Sequence, residues 1–273
     1  GDTGVGKGTI AKLIHQHSSR KNEAFIHVHC GALPDTLAES ELFGYEKGAF
    51  TGAEKRKLGR FDSAQKGTIF LDEINTISST MQIKLLQVLQ DRIFQRVGGE
   101  SPIEADVRVI AASNSDLQEM CDQGLFRKDL YYRLSVFPLE IPSLQQRSED
   151  IPDWIYYLLD WFNKHYFKDI QDVEPFVIKA LQEYAWPGNI RELENVIERA
   201  YILETTSVLR AESFPQELFS GINNSSKVAM DLTQPLAVVR RKGVEHLERN
   251  YLKELLTEHK GSINRASETT GVT

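Results

Sequence analysis

The first seven residues, Gly1-Asp2-Thr3-Gly4-Val5-Gly6-Lys7, have the types and spacing of a loop that grips phosphate. Glycines let successive backbone N–H groups curl around oxyanions, and a helix starting at the loop's end adds the partial positive charge of its N-terminus. A lysine in the last place would reach the β- and γ-phosphates of a nucleotide. Position 8 is Gly8, so the hydroxyl that usually follows such a lysine is absent, and Thr9 points elsewhere on the helix. An ordinary strand-to-helix loop would share this composition. A second segment narrows the choice. Ile69-Phe70-Leu71-Asp72-Glu73 is an apolar strand ending in two adjacent acids. Asp72 at a strand end can hold the water shell of Mg²⁺. Glu73 can polarise an attacking water as general base. Such acids could also simply open a helix, but paired with an upstream phosphate loop they read as one centre for ATP and Mg²⁺.

These groups need a scaffold that brings strand ends and a helix start to one edge. Apolar, β-branched runs at 24–28, 68–71, 107–111 and 136–141 alternate with helical patterns at 9–17, 80–91 and 127–134. Continuous apolar strands separated by helices predict an α/β fold, a parallel sheet covered on both faces. After Pro142 the pattern turns to helices only: 151–166, 175–184 opening on a proline, and 188–203 with Ile190, Leu193, Ile197 and Ala200 at helical spacing. The expected division is an α/β subdomain over 1–142, a small helical subdomain over 143–220, a polar linker over 221–237 and a further helical domain over 238–273. A phosphate loop is normally launched from a buried parallel strand, and none precedes Gly1. The chain is therefore read as a fragment lacking that strand.

The chain of 273 residues is 41% hydrophobic and 26% charged, as expected of a globular protein. No apolar run approaches the roughly 18 residues of a membrane span. Two cysteines, Cys30 and Cys121, make no disulfide framework, so a reducing cytoplasm is the expected location. The net charge is −7, yet the stretch from Val238 holds seven Lys/Arg against five acids. The acidic body is a poor general nucleic-acid binder. The tail could approach phosphates, although a solvated helix face would look the same.

Gly48-Ala49-Phe50-Thr51-Gly52-Ala53, preceded by Glu41-Leu42-Phe43-Gly44-Tyr45-Glu46-Lys47, resembles the GAFTGA loop of bacterial enhancer-binding proteins. These are the AAA+ P-loop ATPases that activate sigma-54 RNA polymerase, and the resemblance runs the length of the chain. It implies a homo-oligomeric ring, a hexamer or heptamer, that hydrolyses ATP and grips the sigma factor with this loop. The residues suit that part. Phe50 and Thr51 lie between glycines that permit sharp turns, among charged neighbours, so Phe50 is expected at the surface.

The resemblance carries other positions over one at a time. Asn114, ending Ala111-Ala112-Ser113-Asn114, would be the sensor that reads the γ-phosphate. Arg127 and Arg133, in Phe126-Arg127-Lys128-Asp129-Leu130-Tyr131-Tyr132-Arg133-Leu134, would be arginine fingers for a neighbouring subunit. Arg191, in Trp186-Pro187-Gly188-Asn189-Ile190-Arg191-Glu192-Leu193, would reach the nucleotide from a helical lid. Residues 252–273 resemble the start of a Fis-type helix-turn-helix, cut before its recognition helix, which in a complete protein would bind enhancer DNA. An amphipathic dimerisation helix is the other reading of that tail.

Three positions depart from the family pattern. His29 stands where an asparagine is usual, the residue that holds the catalytic glutamate aside until the sigma factor is engaged, which implies an altered or lost switch. Gly8 replaces the usual Glu, and Gln145 a common Arg. These departures motivate a second reading: a nucleotide-binding, DNA-binding regulator with weak or no turnover.

Overall fold

The structure is a computed structural model that describes residues 1–166, 168–219 and six positions between 240 and 249. The expected linker over 221–237 and nearly all of the helix-turn-helix over 238–273 lie outside the described residues.

Helix α1 (Lys7–Gln16) leads into strand β1 (Phe25–His29), helices α2 (Asp35–Phe43) and α3 (Arg60–Ser63), and strand β2 (Thr68–Asp72). Helix α4 (Ser79–Asp91), the hairpin of β3 (Ile93–Phe94) and β4 (Ile103–Glu104), strand β5 (Arg108–Ala111), α5 (Leu117–Asp122) and α6 (Lys128–Leu134) follow. The sheet is parallel, in the order β1-β2-β5. The central strand β2 is buried along Thr68–Leu71, as its unbroken apolar run requires. Ile69 and Leu71 join the main core with Phe43, Phe61 and Leu85. Phe70 faces the other way, towards Gly8 of α1 and the rings of Phe25 and His27. Register places His29 opposite Asp72, so the chemically active ends of two strands emerge together.

The fourth expected strand, 136–141, is not formed. Val136 and Phe137 are 77% and 80% exposed. A strand is defined by its ladder, and this segment has no hydrogen-bonded neighbour among the described residues. An open cavity of about 760 Å³ separates it from β5, walled by Ile10 and Ile14 of α1 and by Val109. The β3–β4 hairpin has no signature in the sequence either, because two-residue strands carry no readable period.

A second core is built from α7 (Ile151–Tyr166), α8 (Pro175–Glu183) and α9 (Asn189–Leu203) around Phe162, Trp186 and Tyr201. It is not helical throughout: β6 (Asp172–Val173) and β7 (Val208–Leu209) pair in parallel. Two polar devices finish α9. Lys168 donates to the carbonyl oxygens of Tyr201, Ile202 and Glu204 at 2.8–3.0 Å, satisfying the orphan acceptors of the helix end. The buried Glu204 carboxylate accepts from the N–H groups of Thr205, Thr206 and Arg210, the Ser213 and Thr206 hydroxyls, and the Arg210 guanidinium. Burial alone would raise its pKa. The Thr206, Ser213 and Thr205 donors outweigh that and hold it at about 2.

Candidate active site

The glycine-rich loop needs positive φ at Gly4 (79°) and Gly6 (97°), a conformation open to glycine at little cost. Its carbonyl oxygens are all engaged. Lys7 Nζ donates to Gly1 O and Asp2 O, each at 2.8 Å. Asn189 Nδ2 donates to Thr3 O at 3.0 Å, Ile190 N–H to Gly4 O at 3.0 Å, and Arg147 Nη2 to Val5 O at 2.9 Å. Gly6 O receives the Ile10 N–H of the first turn of α1. The helical subdomain thus lies directly on the loop. A Cβ at Gly4 would run into the Gly188 carbonyl and would approach Arg191 Cβ at 3.4 Å.

Asp72 and Glu73 close the other side. Asp72 Oδ1 accepts the Glu73 N–H at 3.0 Å. Glu73 adopts a left-handed conformation (φ 54°), which turns its side chain off the strand line. Gly31 clears the space, since a Cβ there would run into the Glu73 carboxylate. Lys7 feels both acids. Burial lowers its pKa, opposed by Asp72, Asp2 and Glu73 and reinforced by Arg191. Lys7, Asp72, Glu73 and Arg191 therefore share one electrostatic neighbourhood. His29 Nδ1 lies 3.6 Å from Glu73 Oε2, and His27 Nε2 the same distance from Asp72 Oδ2. Both separations exceed a good hydrogen bond.

Among the described residues there is no cluster of three or more side chains able to cage a metal. A lone strand-end carboxylate fits Mg²⁺, which keeps several waters and binds through one or two carboxylates plus phosphate. Gly8 supplies no hydroxyl, so the residues present would hold such an ion chiefly through Asp72.

The remaining expected residues are placed as follows. Asn114 is exposed beyond β5, its side chain within reach of the Ser115 hydroxyl at 3.4 Å. Neighbouring Asn75 accepts from the Ser113 hydroxyl at 3.2 Å, tying the loop after Glu73 to the end of β5. Arg127 is paired bidentately with Asp129 at 3.0 and 2.7 Å. That hydrogen bond raises the arginine pKa and lowers that of Asp129. Arg133 donates twice to Leu89 O, capping α4. Neither arginine hydrogen-bonds to the phosphate loop of this chain among the described residues.

The 48–53 loop is closed at its base by the Gly48 N–H to Ala53 O bond, 2.8 Å. Gly48 and Gly52 have positive φ, and a Cβ on either would meet nothing within 4 Å. Phe50 is 46% exposed, with its ring edge-on to Tyr45 at 4.9 Å. The β3–β4 hairpin props the stem: Glu46 N–H donates to Val97 O, Val97 N–H to Gly44 O, and Gly98 lies against Ala49. Arg96 locks this arrangement, binding Glu46 at 3.1 Å and Asp62 of α3 at 2.5 Å. Its side chain and that of Asp62 are about nine-tenths buried.

Sequence reasoning missed Arg96, Asp62 and Arg147. Asn189 lies within the Trp186–Leu193 segment, whose resemblance assigns a role to Arg191 alone. The one available signal was a charged residue beside a glycine pair or a helix start.

Comparison with known proteins bears on the whole chain. A family described as the Sigma-54 interaction domain matches residues 1–140, and one described as the AAA+ ATPase lid domain matches residues 145–230. Regulatory protein AtoC of Escherichia coli (strain K12) is 41% identical over 273 residues, covering 100% of this chain and 59% of AtoC. Transcriptional regulatory protein ZraR of the same organism is 48% identical over 220 residues, covering 81% of this chain and 50% of ZraR. NtrX from Brucella abortus, solved in complex with ATP, superposes with a TM-score of 0.73 at 32% identity, covering 100% of this chain and 59% of NtrX. The chain thus spans between half and three-fifths of each of these relatives. Among the described residues no helix is long and apolar enough to cross a membrane.

Proposed function

The chain belongs to the bacterial enhancer-binding proteins, the sigma-54 interaction family, and on that footing we propose that it is the ATP-hydrolysing motor of a sigma-54-dependent transcription activator. The observation that carries the reading is the convergence of Lys7, Asp72 and Glu73 on one cradle. In it, Gly1–Gly8 hold the triphosphate through backbone N–H groups, and Lys7 exchanges its two carbonyl partners for phosphate oxygens. Asp72 would hold Mg²⁺, which would supply positive charge to the phosphates. Glu73 takes the proton of the attacking water. Asn114 reads the γ-phosphate from the sheet edge, and Arg191 reaches the nucleotide from the lid.

Arg127 and Arg133 act in trans, in a hexameric or heptameric ring of identical subunits. A finger arginine neutralises charge on the transferred phosphoryl and is worth roughly 10³–10⁵ in rate. Arg127 is half-exposed and held by Asp129, and a neighbouring subunit's phosphate competes with that carboxylate for it. Hydrolysis moves the Gly48–Ala53 loop, whose half-exposed Phe50 engages sigma-54 in the RNA polymerase holoenzyme. Enhancer DNA is bound by the C-terminal domain of the complete protein, in the cytoplasm.

The test is Glu73→Gln in the full-length protein. Loss of a general base lowers turnover about 10²–10⁴-fold while ATP still binds. Turnover unchanged in this variant refutes the assignment. His29, held 3.6 Å from Glu73, favours a second reading, a DNA-binding regulator that binds nucleotide with little turnover. A wild-type rate indistinguishable from that of Glu73→Gln, with normal ATP affinity, would select it.

A further inference from the structure

The contacts between the lid and the phosphate loop follow an order. The carbonyls of three consecutive loop residues, Thr3, Gly4 and Val5, are taken by three donors from the helical subdomain: Asn189 Nδ2, Ile190 N–H and Arg147 Nη2. In a planar trans peptide the C=O of one residue and the N–H of the next point in opposite directions. Holding these carbonyls towards the lid therefore turns the N–H groups of Gly4, Val5 and Gly6 away from it. Among the described residues none of these three N–H groups has an acceptor, although Val5 is buried and Gly4 and Gly6 are partly so. Unpaired donors in such a place are costly unless a ligand takes them.

The donors are themselves fixed. Asn189 is 2% exposed, sits at φ 53°, and accepts the Leu144 N–H at 2.8 Å through its other amide atom. Arg147 occupies a kink in the 145–150 turn, and its Nε is buried without a partner. That guanidinium donates by one arm to Val5 O while its Nε stays unpaired. Its alternative, solvent, is forgone for a contact across 142 residues of sequence.

We propose that Asn189 and Arg147 are positioning residues that set the phosphate loop from behind: the lid pulls its carbonyls outward so that its N–H groups form an anion cradle. The inference rests on the loop binding ATP, as proposed above. Lid placement and triphosphate affinity are then linked, and a lid that lifts releases the loop's geometry along with its own contacts.

The test uses two variants of the full-length protein. Asn189→Asp is isosteric and still accepts the Leu144 N–H, but cannot donate to Thr3 O. Arg147→Met keeps the stem and loses the donor, and Arg147→Lys restores one. Calorimetric titration with ATPγS and with adenosine separates phosphate grip from lid placement. A ten-fold change in affinity is about 1.4 kcal/mol. Arg147→Met and Asn189→Asp should each weaken ATPγS about ten-fold and leave adenosine within about two-fold, with Arg147→Lys close to wild type. Equal weakening of both ligands means a role in lid structure only and overturns the proposal. Unchanged ATPγS affinity in both variants does the same. If the wild type itself does not bind ATPγS, the nucleotide reading fails first and separately.

Discussion

Arg96→Met should uncouple the exposed loop from the ATPase core. The substitution keeps the aliphatic stem and removes the bonds to Asp62 and Glu46 at 2.5 and 3.1 Å. The two arms differ in weight. Arg96 and Asp62 are 9% and 10% exposed, so deleting the cation strands a nearly buried carboxylate whose other partner is the Gly59 N–H. Breaking a buried pair on one side costs about 3–5 kcal/mol. Glu46 is 36% exposed and adds at most about 1 kcal/mol. The loss falls locally, on the amides of Glu46 and Val97 that join the loop stem to the hairpin. Their hydrogen-exchange protection should drop by about two orders of magnitude or more. Adding Asp62→Asn removes the stranded charge and should recover part of it, with a coupling of about 1–3 kcal/mol in the double-mutant cycle. Unchanged protection at Glu46 and Val97, or strict additivity in the cycle, would refute the clamp. In the same variant, ATP turnover should survive while promoter opening by the full-length protein falls.

Glu204→Gln gives a stability change with a defined pH dependence. With a folded pKa of about 2 against an ordinary 4.5, the ionised carboxylate contributes about 3 kcal/mol at pH 7 by linkage. That contribution is complete above the unfolded pKa and fades as pH falls towards 2, leaving about 1 kcal/mol at pH 3. Trp154, Trp161 and Trp186 all lie in the helical subdomain. Urea unfolding followed by tryptophan fluorescence therefore reads the gap between wild type and variant, and a gap equal at pH 7 and pH 3 would contradict the assignment. Lys168→Met should lower the same transition by about 1–2 kcal/mol through loss of the charge on the end of α9, and a change below 0.3 kcal/mol would show those bonds to be idle.

What could be read from the sequence was what lies contiguous in it. The phosphate loop, the acid pair after Leu71 and the loop around Phe50 are local strings whose chemistry needs no partner to be recognised. Helices of the lid showed because their apolar stripes are long, as in Ile190, Leu193, Ile197 and Ala200. The segment 136–141 reads as a strand on composition, but strand formation is a property of pairs. The bonds that shape the site were hidden for the same reason. Asn189 meets Thr3 across 186 residues and Arg147 meets Val5 across 142, and no periodicity encodes such contacts. Arg96 belongs to no readable motif, and only the fold brings Asp62 and Glu46 around it. His29 was legible as a departure, and the structure adds its distance from Glu73, too long for a firm hydrogen bond.

The central claim is that ATP turnover and action on sigma-54 polymerase are joined through Phe50. The direct measurement compares ATPase rate and open-complex formation in the full-length wild type and Phe50→Ala. Phe50 is half-exposed, and both glycines flanking its loop have open space around them, so the change leaves the core and the phosphate cradle intact. The account predicts an ATPase rate within about two-fold of wild type, because nothing in the cradle is touched, together with loss of open complexes. Open complexes formed at the wild-type rate by Phe50→Ala would contradict it.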